Sequence, residues 1–207
     1  MLGTGSTLSA AEPASANAAA ASRARIVILG DSITAGYGID PADAYPALLQ
    51  QKVDAAHLAF TVTNAGVSGD TTAGGLRRIN WALNGGAEIL VIALGGNDGL
   101  RGVTPKQTEE NLTGIIQKAK VKSPGIAVIV AGMQMPPNMG AEYTEAFRAI
   151  FPRVAKTNDV AFVPFLLEGI GGSQEFNQED LIHPNEKGQQ RVADNVWKIL
   201  EPIARAR

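Results

Sequence analysis

Short runs that are apolar at nearly every position alternate along this chain with longer segments whose apolar residues recur every three or four positions. The runs are Ile26–Leu29, Phe60–Val62, Ile89–Leu94, Ile126–Val130 and Val160–Val163. A strand with one wet face alternates apolar and polar residues, so these unbroken runs predict strands covered on both faces, as in a parallel sheet. The segments between and after them predict helices near residues 43–55, 71–83, 105–121, 142–157 and 185–204. In the third, Leu112, Ile115, Ile116 and Ala119 share one face; in the last, Val192, Val196, Ile199, Leu200 and Ile203 do. Five strands alternating with five helices predict an α/β fold. The expected form is a three-layer α/β/α sandwich on a five-stranded parallel sheet, with right-handed crossovers and the flavodoxin-like order 2-1-3-4-5.

Composition narrows the chemistry. The 207 residues suit one domain, and 45% apolar with 18% charged residues is ordinary for a globular protein. A formal charge of -2 offers no basic footprint, so no nucleic-acid partner is expected. The absence of cysteine rules out a disulfide, a thiolate nucleophile and cysteine-based metal sites. Only His57 and His183 are available as bases near neutrality, and they stand too far apart in sequence to form H-E-x-x-H. Residues 1–24, rich in Ala, Ser, Gly and Thr, lack apolar periodicity and read as a low-complexity segment outside the fold, leaving 25–207 as the domain. Ala14-Ser15-Ala16 would suit a signal cleavage site, and a linker fits equally well. No apolar run reaches the roughly 18 residues a bilayer span needs, so no stable membrane insertion is expected.

In an open parallel sheet, ligands bind outside the carboxyl ends of the strands. Polar, glycine-rich clusters fall at three of those ends: Gly30-Asp31-Ser32, the segment Asn64 to Asp70, and Gly95 to Gly99. A fourth, Asp180 to Asn185, precedes the last helix. Ser32, directly after a buried strand, would present its hydroxyl at the sheet edge near backbone N–H groups, as a nucleophile requires; it could equally cap the next helix. Gly69 and Asn97 would supply hydrogen-bond donors for an oxyanion, and each could also be a turn residue. Asp180 and His183, three apart, can place a carboxylate on the imidazole and leave the other ring nitrogen for Ser32, or the aspartate can merely cap the turn. His57 has no acid nearby in sequence and reads as a helix-end residue.

Together, GDSITAGYG, NAGVSGDTT, LGGNDGLRG and DLIHPNEKG resemble the four sequence blocks of the SGNH (GDSL-type) hydrolases, nearest to the bacterial thioesterase, lysophospholipase and arylesterase branch. The resemblance runs from about Arg25 to the end of the last helix and identifies Ser32, Gly69, Asn97 and His183 with the four letters of the family name. It implies a serine esterase that uses no metal and no organic cofactor and acts on small-molecule esters through an acyl-enzyme on Ser32. His183 would be its base and Asp180 the orienter. The backbone N–H groups of Ser32 and Gly69 and the Asn97 amide would form the oxyanion hole. It also implies a periplasmic or secreted location. Met133 and Met135, in the loop after the fourth strand, are the expected wall of an acyl or aryl pocket. Two other readings stand beside it: a carbohydrate O-acetyl esterase with the same constellation, and a non-catalytic flavodoxin-like binding module. The module lacks the usual G-x-G-x-x-G and G-x-x-x-x-G-K-[ST] phosphate cradles.

Overall fold

A computed structural model describes residues 23–207. Of the N-terminal segment expected at 1–24, residues 1–22 lie outside the described residues. The strands are β1 (Ala24–Gly30), β2 (Phe60–Gly66), β3 (Ile89–Ala93), β4 (Ala127–Ala131) and β5 (Ala161–Val163). All pair in parallel in the order β2-β1-β3-β4-β5, the expected topology. Central β3 is buried at every position, whereas edge strand β2 exposes Thr61 and Asn64 between buried Phe60 and Ala65. Continuous apolar runs therefore mark the middle of the sheet, and a looser pattern marks its edge.

The long helices α2 (Tyr45–Ala55) and α8 (Glu186–Arg205) pack together on one face. The other face carries α3 (Thr72–Ala82), α5 (Pro105–Lys122) and α7 (Ile150–Thr157). Three further helices lie among the described residues: α1 (Ser32–Ala35), α4 (Gly96–Leu100) and α6 (Ala141–Arg148). The single helix expected over 142–157 is thus two, broken at Ala149. The cause is Pro152, which has no N–H to donate and whose ring crowds the carbonyl four residues earlier, that of Arg148. Helices α1 and α4 are too short to produce a hydrophobic period.

Register decides where the chemistry falls. Gly30 lies beside Gly66 on one side and Ala93 on the other, so β1, β2 and β3 end level and release three loops at one edge. The Arg78 guanidinium locks that edge, with Nη2 donating to Gly30 O at 2.9 Å, Nη1 to Ala65 O at 2.8 Å, and Nε to Asp70 Oδ2 at 2.7 Å. Leaving β3, the chain turns through Gly95 at φ +122°, where a Cβ would also meet Phe151 Cζ at 2.9 Å. Glycine is required there both for the backbone and for the space.

Candidate active site

Ser32 is the first residue of α1, and it does not cap that helix: Asp31 does, accepting the Ile33 N–H at 3.0 Å. The Ser32 hydroxyl instead lies 3.0 Å from His183 Nε2. His183 Nδ1 is 2.6 Å from Asp180 Oδ2. Asp180 Oδ1 accepts the backbone N–H groups of Ile182 and His183, each at 2.9 Å. The two readings of Asp180 are therefore both realised, since one oxygen closes the turn while the other faces the imidazole. Burial works against ionisation of Asp180, but the hydrogen bonds from the His183 ring and backbone and from Ile182 outweigh it and hold its carboxyl down at about 2. It stays ionised throughout the range in which histidines titrate.

Asn97 sits on α4. Its Nδ2 donates to Asp70 O at 3.0 Å, which fixes the orientation of the amide and, among the described residues, leaves its second hydrogen without an acceptor. The helix is tied down from beneath by buried Asp98, which accepts from the Thr72 backbone N–H at 2.8 Å and from its hydroxyl at 2.5 Å. Among the described residues, the backbone N–H groups of Ser32 and Gly69 have no hydrogen-bond acceptor. Gly69 adopts φ +78°, and its carbonyl is held by Arg101 Nη2 at 3.0 Å.

Ser32, Asn97 and His183 line a cavity of about 460 Å³ whose walls are mainly apolar, including Leu100, Phe165 and Leu167. Met133 and Met135 line it too; Gly69 does not. Met133 is 97% buried and belongs equally to the core, whereas Met135 rests on Gly99 of α4. Met139, in the same loop, faces a separate hollow beside Pro105 and Tyr143. His57 lies just before β2, at the opposite end of the sheet, at φ +55°. No group of three or more His, Asp or Glu side chains among the described residues could hold a metal ion.

Sequence reasoning assigned no role to Arg78, Asp98 or Tyr37, although the last two stand inside quoted motifs. The Tyr37 ring lies 4.6 Å from that of His183. Asp31, whose role the sequence left open, is 99% buried beside Ser32, and burial pushes its carboxyl up to about 6 against the lowering effects of the Ile33 N–H and of His183. Because its pKa is raised on folding, its contribution favours the folded state below the ordinary carboxylate range and is lost as the pH rises through about 6. A shift from 3.8 to about 6 corresponds to about 3 kcal/mol at neutral pH. Asp31→Asn keeps an acceptor for Ile33 and removes the charge. It is expected to raise stability at pH 8 by about 1–3 kcal/mol and to leave it unchanged near pH 3. Urea unfolding at the two pH values checks this; equal midpoints for the two proteins at pH 8 would refute it.

A layered α/β sandwich with a hydrogen-bonded Ser–His–Asp chain at its strand ends, open to an apolar cavity, is the arrangement of a serine hydrolase. Comparison with known proteins gives the family. The model of the GDSL-like lipase/acylhydrolase family matches residues 28–191. Esterase TesA of Pseudomonas aeruginosa is 44% identical over 86% of this chain and 88% of its own length. Thioesterase 1/protease 1/lysophospholipase L1 of Escherichia coli K12 is 40% identical over 89% of this chain and 86% of its own. The crystal structure of TesA superposes with a TM-score of 0.83 and 43% identity, covering 86% of this chain and 99% of that one. The chain belongs to the GDSL-like lipase/acylhydrolase family and is an ester hydrolase. No described helix is long and apolar enough to cross a membrane. The binding-module alternative is set aside.

Proposed function

We propose that Ser32 is the nucleophile, His183 the general base and Asp180 its orienter, on a hydrolase domain spanning 25–207. The observation that carries this reading is the unbroken chain from Ser32 Oγ to His183 Nε2 at 3.0 Å and from Nδ1 to Asp180 at 2.6 Å. Ser32 Oγ attacks the ester carbonyl while His183 Nε2 takes its proton. The tetrahedral oxyanion is held by the Ser32 N–H, the Gly69 N–H and the free hydrogen of the Asn97 amide. Collapse expels the alcohol, which receives the proton from His183. Water deprotonated by the same ring then releases the acid and frees Ser32. The charge of -2 and the absence of a basic footprint support a reading without nucleic-acid partners. The family resemblance supports a periplasmic or secreted location, which fractionation of the native host would test.

For substrate, we propose aryl and alkyl esters with short to medium acyl chains, extending to thioesters and lysophospholipids, the classes named in the relatives. The apolar walls support this, because each methylene they bury contributes about 0.8 kcal/mol until the space is full. Met133 and Met135 form part of that wall. Met135→Ala is the cleaner probe, since truncating buried Met133 should also destabilise the core by about 2–5 kcal/mol. Measured over aryl esters from acetate to laurate, Met135→Ala is expected to move the kcat/KM optimum to longer chains. An unchanged profile would take Met135 out of the pocket. Activity confined to acetylated carbohydrate would favour the O-acetyl esterase reading instead.

A further inference from the structure

His183 is carried by a loop rather than by a helix or strand, and Glu179, Asp180, Leu181 and Ile182 on that loop are all exposed. A base so placed needs something besides its own loop to hold the plane of its ring. Asp180 fixes one edge through Nδ1. The other restraint comes from a different part of the chain: Tyr37, in the turn after α1, sets its ring 4.6 Å from the imidazole at 41°. That distance is within the range of direct aromatic contact. Tyr37 is 54% exposed, and it is not part of the cavity wall. Neither burial in the core nor a place in the cavity wall accounts for its position.

The two rings are held together by Gln178. Its Nε2 donates to Tyr37 O at 2.7 Å and to Pro184 O at 3.2 Å, and its backbone N–H donates to His183 O at 2.8 Å. Next to Tyr37, Gly38 lies so close to the Gln178 side chain that a Cβ there would collide with Oε1. One residue therefore fastens the tyrosine segment to the histidine segment from both sides.

We propose that Tyr37 is a positioning residue for the base, acting through His183 and resting on the reading of His183 as that base. Its ring closes one face of the imidazole against rotation, which keeps Nε2 aimed at Ser32. When the Ser32 proton moves to Nε2, the positive charge that forms lies against the electron-rich face of the tyrosine and is stabilised by it. The other charged groups facing this ring are Asp180 on its own loop and Asp31 at the end of β1, both carboxyls.

The test compares Tyr37→Phe, which keeps the aromatic face, with Tyr37→Leu and Tyr37→Met, which cover the ring without one. Phe should retain most of the wild-type kcat. Leu and Met should lower kcat by about 5- to 30-fold with little change in KM. They should also move the acidic limb of the kcat/KM profile to lower pH by about 0.3 to 0.7 unit, because the imidazolium has lost its partner. Thermal unfolding of each variant establishes that the fold is intact, and having two aliphatic replacements leaves a measurement if one fails. Wild-type kcat and an unmoved acidic limb in the aliphatic variants would overturn the proposal. So would a change confined to KM, which would make Tyr37 a substrate contact. His183→Ala is measured alongside: if it remained active, the assignment of the base itself would fall, whereas an inactive His183→Ala with indifferent Tyr37 variants would overturn only the role of Tyr37.

Discussion

Ser32→Ala is expected to lower kcat for a simple aryl ester by about 10⁵- to 10⁶-fold while leaving the protein folded. The fold should tolerate the change because Asp31, not Ser32, caps α1, so alanine removes only the hydroxyl that faces His183. His183→Ala should cost about as much, and the double variant little more than either single one. A nucleophile without its base and a base without its nucleophile fail at the same step, so the losses do not add. Some rate above that in water should survive in all three, because the proposed oxyanion donors, the N–H groups of residues 32 and 69 and the Asn97 amide, are untouched. His57→Ala should retain wild-type activity, since His57 lies at the other end of the sheet. Steady-state kinetics with titration of active serines by a fluorophosphonate are the measurements; substantial turnover by folded Ser32→Ala, or an inactive His57→Ala, would overturn the assignment.

How much of this could be read from the chain depends on the range of each signal. The strands and the layers follow from continuous apolar runs and helical spacing, because burial on both faces of a sheet leaves an imprint on the central strands, whereas the strand order rests on the common doubly wound topology. The geometry linking Asp180 to His183 was legible because a three-residue spacing is a local constraint. The break at Ala149 was also legible in principle, since Pro152 carries its cause. Arg78 was not: it joins the ends of β1 and β2 and reaches back to Asp70, and only the fold brings Gly30, 48 residues away, to its guanidinium. Tyr37 and Gln178 meet across 141 residues for the same reason. Within the loop after β4, the methionines part company. Met133 and Met135 reach the cavity, but the short 3-10 turn Pro137–Met139 directs Met139 to a different hollow.

Asp180→Asn should be nearly as damaging as loss of the base, by about 10³- to 10⁴-fold in kcat, although it exchanges only one oxygen for a nitrogen of similar size. The reason is the direction of a single proton. Asp180 accepts three N–H groups, two from the backbone and one from the ring, and its lowered pKa keeps it an acceptor at every pH of interest. With an ionised acid, Nδ1 must carry the hydrogen, and Nε2 is left with the lone pair that takes the Ser32 proton. Asparagine has one oxygen and one NH2. The oxygen is held by the Ile182 and His183 N–H groups, because these close the turn in which Leu181 adopts φ +58°, an unfavourable conformation for that residue. The NH2 then faces Nδ1 and can only be accepted by a bare ring nitrogen. That moves the hydrogen to Nε2, where it points at Ser32 Oγ and blocks the transfer. The expected signature is a large fall in kcat with KM almost unchanged and the fold intact by circular dichroism. A mild effect on kcat would mean that the exposed loop lets the asparagine turn its oxygen to the ring, and that Asp180 serves the turn more than the base.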